Sequence, residues 1–348
     1  MKVLRIRRAD ATPDRVAGHL VAHELRDASG ATVFAKGSLV AESRMGELMA
    51  LGWDELHLIA PDADEMHEEE AGQRIALAAA GEGIHVGAMS GGHWPLTATH
   101  RGILRADAER LEAINSVEGV CVYTLTNGQV VDEGELVARA KIIPFVLAAR
   151  LVAAAEEIAR GAGGVAHVTP FRPMTVGAVV RETLGERAMM RFRESVREKV
   201  EWFGSRLLEP RFVTSTAEAV AAAIEGAMAD GADFLLMAGT KAMDPLDPSF
   251  VALDRLGVKL ERYGVPVHPG SLLWLANHGR LTIVGMPTCG LFTQATVFDL
   301  LFPRMLAGER LTKGVLSSLG HGGLLTREMA GRFPPYRKTG ERGAIAES

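Results

Sequence analysis

Residues 233–241 read Asp233-Phe234-Leu235-Leu236-Met237-Ala238-Gly239-Thr240-Lys241. The apolar part is continuous rather than alternating, as is typical of a strand buried on both faces of a parallel sheet. A glycine directly after such a strand lets the backbone approach a ligand. A threonine hydroxyl, together with backbone N–H groups that have no other partner, can hold phosphate oxygens. This segment therefore predicts a parallel α/β sheet with an anion-binding loop at its carboxyl edge.

The sequence on either side alternates strand and helix patterns. Continuous apolar strands are predicted at 174–180 and 281–285, and a further strand near 207–213. Helix-start signals follow: capping boxes at 183–186 and 215–218, and Asp247-Pro248 as an N-cap with proline in the first helical position. Such alternation gives a mostly parallel sheet, and ligands bind outside the carboxyl ends of its strands. The loops 181–183, 238–247 and 287–290 are therefore the candidate site.

The first half of the chain predicts a different organisation. We expect a mixed α/β segment over 1–80 and a β-rich segment with a linker helix over 81–164. An α/β domain of three layers is expected over 165–330, and a mobile tail over 331–348. A helix predicted from Pro144 to Arg160 closes the β-rich segment at a glycine cluster. A helix over 292–306 must bend or end at Pro303.

Composition excludes several classes of protein. The 348 residues carry a net charge of -5, which argues against a nucleic-acid-binding face. Two cysteines, Cys121 and Cys289, give neither a metal-ligand spacing nor a disulfide framework. No signal peptide or membrane span is predicted, so we expect a cytoplasmic protein. His85, His93 and His100 are interpreted as loop or core residues, and no metal site is predicted.

Each candidate in the loops has a structural and a functional interpretation. Lys241 either adds charge to an anion site or points to solvent. Asp247 is either only the helix N-cap or also a catalytic or magnesium-binding carboxylate. Cys289, in the turn 287–290, is either a reactive thiol or a buried, inert one. Pro269-Gly270 indicates a turn.

These residues resemble the molybdopterin-binding domain shared by molybdopterin adenylyltransferases and molybdotransferases. That family's loop T-G-G-x-x-x-G-x-x-D is matched by residues 238–247, with its first glycine at Gly239 and its aspartate at Asp247, but without its other two glycines. Its Pro-Gly turn matches Pro269-Gly270. The whole chain is more similar to a subgroup that is sometimes fused to a module like molybdenum-cofactor cytidylyltransferase, which this chain lacks.

The resemblance implies a ligand, namely molybdopterin or molybdenum cofactor, with Mg and a nucleotide as further candidates. The phosphate of the pterin would lie at 239–241 and at the turn after Pro287. The implied binding residues are Glu182, Thr183, Gly239, Thr240, Lys241, Pro269, Gly270, Ser271, Pro287, Thr288, Cys289 and Gly290. Related domains are oligomeric, so a homo-oligomer is expected.

One departure from the family affects the choice of function. The adenylyltransferases carry an acidic pair after the second strand, where this chain has Val213-Thr214-Ser215-Thr216. Three hypotheses remain open. The protein binds a phosphorylated pterin in cofactor synthesis or delivery; or it is an adenylyl- or molybdotransferase in which Asp247 holds magnesium; or it is an inactive scaffold for a molybdoenzyme-maturation partner.

Overall fold

The computed structural model describes residues 2–161, 163–181, 184–239, 244–286 and 295–336. The chain divides into two compact units. The first comprises Met1–His100, Leu104–Asn127 and Asp132–Val168; the second comprises Arg101–Ile103, Gly128–Val131 and Thr169–Ser348. Strands and helices occur in both units, so the predicted mixed α/β class is confirmed.

Short strands and helices make up the chain as far as residue 170. The helices are α1 Pro13–Val16, α2 Met45–Ala50, α3 Glu68–Ala79, α4 Ala108–Asn115 and α5 Ala149–Arg160, with 3-10 turns at Arg8–Asp10 and Glu42–Arg44. The strands are β1 Lys2–Arg7, β2 Leu20–Val21, β3 Leu25–Arg26, β4 Thr32–Phe34, β5 Glu55–Ala60, β6 Glu65–His67, β7 Ile84–Val86, β8 Trp94–Ala98, β9 Gly102–Ala106, β10 Val120–Thr124, β11 Val130–Val131, β12 Leu136–Ile142, β13 Val146–Ala148 and β14 Ala166–Pro170.

Two antiparallel sheets organise the first unit. β5 is central in the order β1-β5-β2, and a second sheet has the order β10-β12-β8-β7. The predicted linker helix begins at Ala149 rather than Pro144, because residues 146–148 pair with β6 as β13. Helix α4, capped by the Asp107 carboxylate, was not predicted.

The elements after residue 170 belong to the second unit. Its helices are α6 Glu186–Trp202, α7 Ala217–Ala229, α8 Pro248–Arg255, α9 Val297–Leu306 and α10 Lys313–Ser318, followed by a 3-10 turn at Arg327–Arg332. Its strands are β15 Thr175–Val180, β16 Arg206–Leu207, β17 Arg211–Phe212, β18 Phe234–Ala238, β19 Leu260–Tyr263, β20 Trp274–His278 and β21 Leu281–Met286.

The main sheet of this unit is mixed, with the order β16-β15-β18-β21-β20-β19 and β17 also beside β15. β15, β16, β17, β18 and β21 are mutually parallel, whereas β20 is antiparallel to both β19 and β21. The predicted strand at 207–213 is therefore two short strands. β19 was not predicted as a strand.

Continuous apolar strands let this sheet carry a core on each face. Phe234, Leu236 and Ala238 of β18 pack in one cluster with α6 and α9, whereas Leu235 and Met237 pack in another with α7 and α8. All five are buried. The apolar run thus has a direct physical cause, since neither face of the strand meets water.

Close packing fixes Gly285 in β21. A Cβ added there would overlap the indole of Trp274, which is fully buried on the paired strand.

The helix expected over 292–306, with a bend or an end at Pro303, differs in its start and in the position of its proline. Pro303 lies inside α9, three residues before its end, and α9 begins at Val297.

The described part of the expected mobile tail is not detached from the second unit. Phe333 and Tyr336 pack against the larger of its two apolar clusters, and Tyr336 Oη donates a hydrogen bond to Asp299 Oδ1 at 2.7 Å. The apolar residues in this proline-rich segment are spaced without helical or strand periodicity, which is why the sequence predicted no docking.

Candidate site at the carboxyl edge of the parallel strands

Three parallel strands end level with one another in the second unit. Val180 of β15 is in register with Ala238 of β18, and Ala238 is in register with Met286 of β21. The segments that follow these strands therefore leave from one edge of the sheet.

A buried guanidinium joins several segments at this edge. Arg181, the first residue after β15, is 6% exposed. Its Nη1 donates to Ser215 Oγ at 2.7 Å, and its Nη2 donates to the Gly239 carbonyl at 2.9 Å. Nη2 also donates to Asp247 Oδ2 at 2.5 Å. One side chain thus connects the ends of β15 and β18 with the start of α7 and α8.

Hydrogen-bonded and charged partners account for the burial of Asp247. The residue is 1% exposed, and besides the ion pair with Arg181 its Oδ1 accepts from the Ser249 N–H at 2.8 Å. It is the N-cap of α8, with Pro248 as the first helical residue, as predicted. A buried carboxylate normally requires such pairing, because desolvation of an isolated charge is costly.

The loop after β18 starts with a glycine in the left-handed region. Gly239 has φ of 80°, a conformation that L side chains rarely adopt. Its carbonyl is the one held by Arg181. The conformation of Gly239 is therefore held by a hydrogen bond from a buried side chain.

The predicted Pro269-Gly270 turn packs against the start of α9. The Val297 N–H donates to the Pro269 carbonyl at 3.2 Å. Gly270 has φ of 123°, and a Cβ there would clash with Val297. β20 begins three residues after Ser271 and is antiparallel to β21, with Trp274 opposite Gly285. The turn therefore lies near the carboxyl end of β21, at the same edge as Gly239.

Helix N-termini at this edge differ in how they are capped. Thr216 accepts from Ala219 N at the start of α7, and Thr296 forms a capping box with Asp299 at the start of α9. α6 begins after Gly185, and no side chain caps it among the described residues. Its first N–H groups are the kind that attract an anion.

Several predicted site residues lie outside the described residues: Glu182, Thr183, Thr240, Lys241, Pro287, Thr288, Cys289 and Gly290. Of the described ones, Gly239, Asp247, Pro269, Gly270 and Ser271 lie on segments at this one sheet edge. Sequence reasoning gave Arg181 no role. A signal was present, since a charged residue followed a fully buried strand.

A second buried ion pair lies at the first turn of α9. Lys199 Nζ of α6 contacts both oxygens of Asp299, at 2.9 and 2.8 Å. Asp299 also receives the Thr296 N–H at 2.8 Å and the Tyr336 hydroxyl. Burial, together with the negative charge of Asp299, raises the pKa of Tyr336 well above its ordinary value of 10.

Features elsewhere in the described part of the chain bear on other kinds of site. No group of three or more His, Cys, Asp or Glu side chains there could hold a metal ion. No described helix combines the length and apolarity needed to cross a bilayer. The first unit has a groove of about 540 Å³, lined by His23, Glu24, Leu25, Arg26, Leu51, Gly52, Trp53, Asp54 and Glu55. Within that groove Glu24 is paired with Arg26, and Glu55 with Arg5.

Comparison with known proteins gives no family assignment. No family model matches the chain, and no curated protein matches it. A molybdopterin biosynthesis MoeA protein from Pyrococcus horikosii aligns over 88% of this chain and 75% of its own, at 11% identity and a TM-score of 0.31. A putative molybdenum cofactor biosynthesis protein from Corynebacterium diphtheriae aligns over 44% of this chain and 99% of its own, at 14% identity and a TM-score of 0.24. Likeness at these TM-scores does not establish a shared fold.

Proposed function

We propose that the second unit binds molybdopterin, or a similar phosphorylated pterin, and acts in molybdenum cofactor biosynthesis or delivery. The observation that carries the proposal is the register of β15, β18 and β21, from which three glycine- and threonine-containing segments leave together. These are the segments whose sequence resembles the molybdopterin-binding loops. The phosphate is proposed to contact the segment 239–241 and the turn after Pro287. Glu182, Thr183 and Ser271 would hydrogen-bond the pterin.

Local charge favours an anionic ligand here despite the net charge of -5. Asp247 is neutralised by Arg181, and no side chain of the described residues caps the start of α6. Lys241 supplies a positive charge in the same loop as Gly239. Unpaired N–H groups and one lysine form a common combination for holding phosphate.

Binding is better supported than adenylyl transfer. The transferase hypothesis requires Asp247 to hold magnesium, but that carboxylate is occupied by Arg181 and by the Ser249 N–H. The position of the family's acidic pair is taken by a segment whose Ser215 also bonds Arg181. Incubation with molybdopterin, ATP and magnesium is accordingly expected to give no adenylated product.

Ligand carried by the purified protein tests the proposal. The wild-type protein, purified from a host that makes molybdopterin, is expected to release a fluorescent oxidised pterin whose mass identifies the species. Lys241→Ala is expected to lower affinity about tenfold, equivalent to about 1.4 kcal/mol. Lys259→Ala is the matched control, because Lys259 precedes β19 at the opposite edge of the sheet and is exposed. Absence of pterin from the wild-type protein, with no affinity for added molybdopterin, would contradict the proposal.

A further inference from the structure

Three oxygen atoms from separate segments converge on Arg181. They are the hydroxyl of Ser215, the carbonyl of Gly239 and one carboxylate oxygen of Asp247, at 2.7, 2.9 and 2.5 Å from the guanidinium nitrogens. Both charged side chains are buried, at 6% and 1% exposure. The arrangement is a cation held by oxygen ligands away from solvent.

The same three kinds of oxygen are those that hard divalent cations take as ligands. A guanidinium differs in two respects, since it never loses its charge and cannot dissociate from the chain. While Arg181 occupies this position, the charge and the volume of its guanidinium keep a metal ion from the point where the three oxygens converge. A magnesium ion held by Asp247 does not fit the geometry.

We infer that Arg181 replaces a divalent cation at this sheet edge, so that anion binding here is independent of metal. Arg181 is a positioning residue: it cancels the charge of Asp247, which would otherwise repel a phosphate, and it orients the Gly239 backbone. The part of the inference that concerns a phosphate ligand rests on the proposed function. The part that concerns the metal does not.

Titration with Mn²⁺ alone, followed by electron paramagnetic resonance, tests the metal part. The wild-type protein is expected to show no site that depends on Asp247 up to ~1 mM, the weak end of carboxylate-based sites. Arg181→Ala is expected to gain one bound Mn²⁺, and Arg181→Ala/Asp247→Asn to lose it again. Arg280→Ala is the matched control, because Arg280 lies in the turn before β21 at the opposite edge with 74% of its side chain exposed.

Two results would overturn the inference. One is Mn²⁺ binding by the wild-type protein that Asp247→Asn abolishes, which would mean that Arg181 does not occupy the position. The other is a folded Arg181→Ala variant without an Asp247-dependent site. If Arg181→Ala does not fold, Arg181→Gln replaces it, because the amide keeps a donor for Gly239 while the charge is removed.

Inorganic pyrophosphate serves as the probe for the ligand part. Calorimetry of the wild-type protein is expected to give the same dissociation constant in EDTA as in magnesium. Binding that is lost in EDTA would overturn the inference. Absence of pyrophosphate binding in both buffers would count against the proposed function, and the Mn²⁺ titrations would still decide whether Arg181 takes the place of a cation.

Discussion

At the scale of residues, Asp247 shows how one position meets two demands. As an N-cap it satisfies the Ser249 N–H, and as a buried carboxylate it needs a cation, which Arg181 supplies. The N-cap could be predicted from Asp247-Pro248, because capping depends on neighbours in the sequence. The ion pair could not be predicted, because its partner lies 66 residues away.

Truncation of Asp247 is therefore expected to be costly. Asp247→Ala should lower the free energy of unfolding by about 3–5 kcal/mol, because it leaves the Arg181 guanidinium buried without its counterion. Asp247→Asn should lose less, since the amide oxygen still accepts from Ser249 N. Urea denaturation measures both.

Asp244→Ala is the control for this comparison. Asp244 is exposed, and among the described residues its Oδ1 accepts from the Leu246 N–H at 2.9 Å, so its removal should change stability by about 0.5 kcal/mol or less. Equal stability of the Asp247→Ala and Asp244→Ala variants would show that the buried pair contributes nothing.

At the scale of elements, the sequence predicted best what local signals determine. The buried strands β15, β18 and β21 and the start of α8 follow from apolar runs and caps. β19 was missed because Leu260–Tyr263 is largely exposed and shows no apolar run. Pairing with β20, a distant contact, makes it a strand.

The hydrogen bond from Tyr336 to Asp299 of α9 gives a prediction about how stability depends on pH. The pKa of Tyr336 is raised in the folded protein, so the folded state retains a proton that the unfolded state loses. Stability from this residue is fully present below about pH 10 and declines as the pH rises further. Tyrosinate absorbance of the folded protein should show a titration step well above pH 10, which we assign to Tyr336. Tyr336→Phe should remove that late step; its persistence in the variant would reject the assignment.

The ion pair between α3 and α5 in the first unit gives a pH dependence of stability with the opposite sign. Arg74 donates to both oxygens of Glu156, at 3.0 and 2.6 Å, and this bonding lowers the pKa of Glu156 below its ordinary 4.5. The stability it contributes is present above that value and is lost as the pH falls through the lowered pKa. Glu156→Gln should flatten the acid side of the stability–pH curve. Glu157→Gln, one residue along α5, is the control, because Glu157 is exposed and this change leaves the Arg74–Glu156 pair intact. The same flattening in this variant would contradict the assignment to Glu156.

At the scale of the whole molecule, composition predicted the class but not the arrangement. An apolar content of 47% with 23% charge indicates folded cores, and the chain has two compact units. The segments 101–103 and 128–131 belong to the second unit although they lie within the sequence of the first. No local sequence pattern shows that these two segments belong to the second unit, because the assignment depends on contacts between residues that are distant in the sequence.

A homo-oligomer is the expectation at this scale. Light scattering coupled to size-exclusion chromatography should give a mass that is a multiple of 37.2 kDa and stays constant on dilution through the micromolar range. A mass of one chain at every concentration would contradict the expectation and leave each site to a single protomer.

The hydroxyl of Tyr336 has a mechanical consequence. It donates a hydrogen bond to Asp299, which completes the capping box in the first turn of α9. In the sequence, α9 is the helix that follows β21. A force applied at Tyr336 is therefore expected to act on the first turn of α9, whose Val297 N–H donates to the Pro269 carbonyl at the sheet edge. A label or solid support attached after Tyr336 would place force on the hydrogen bond between Tyr336 and Asp299. One attached before β1 would instead pull on a strand of the other unit.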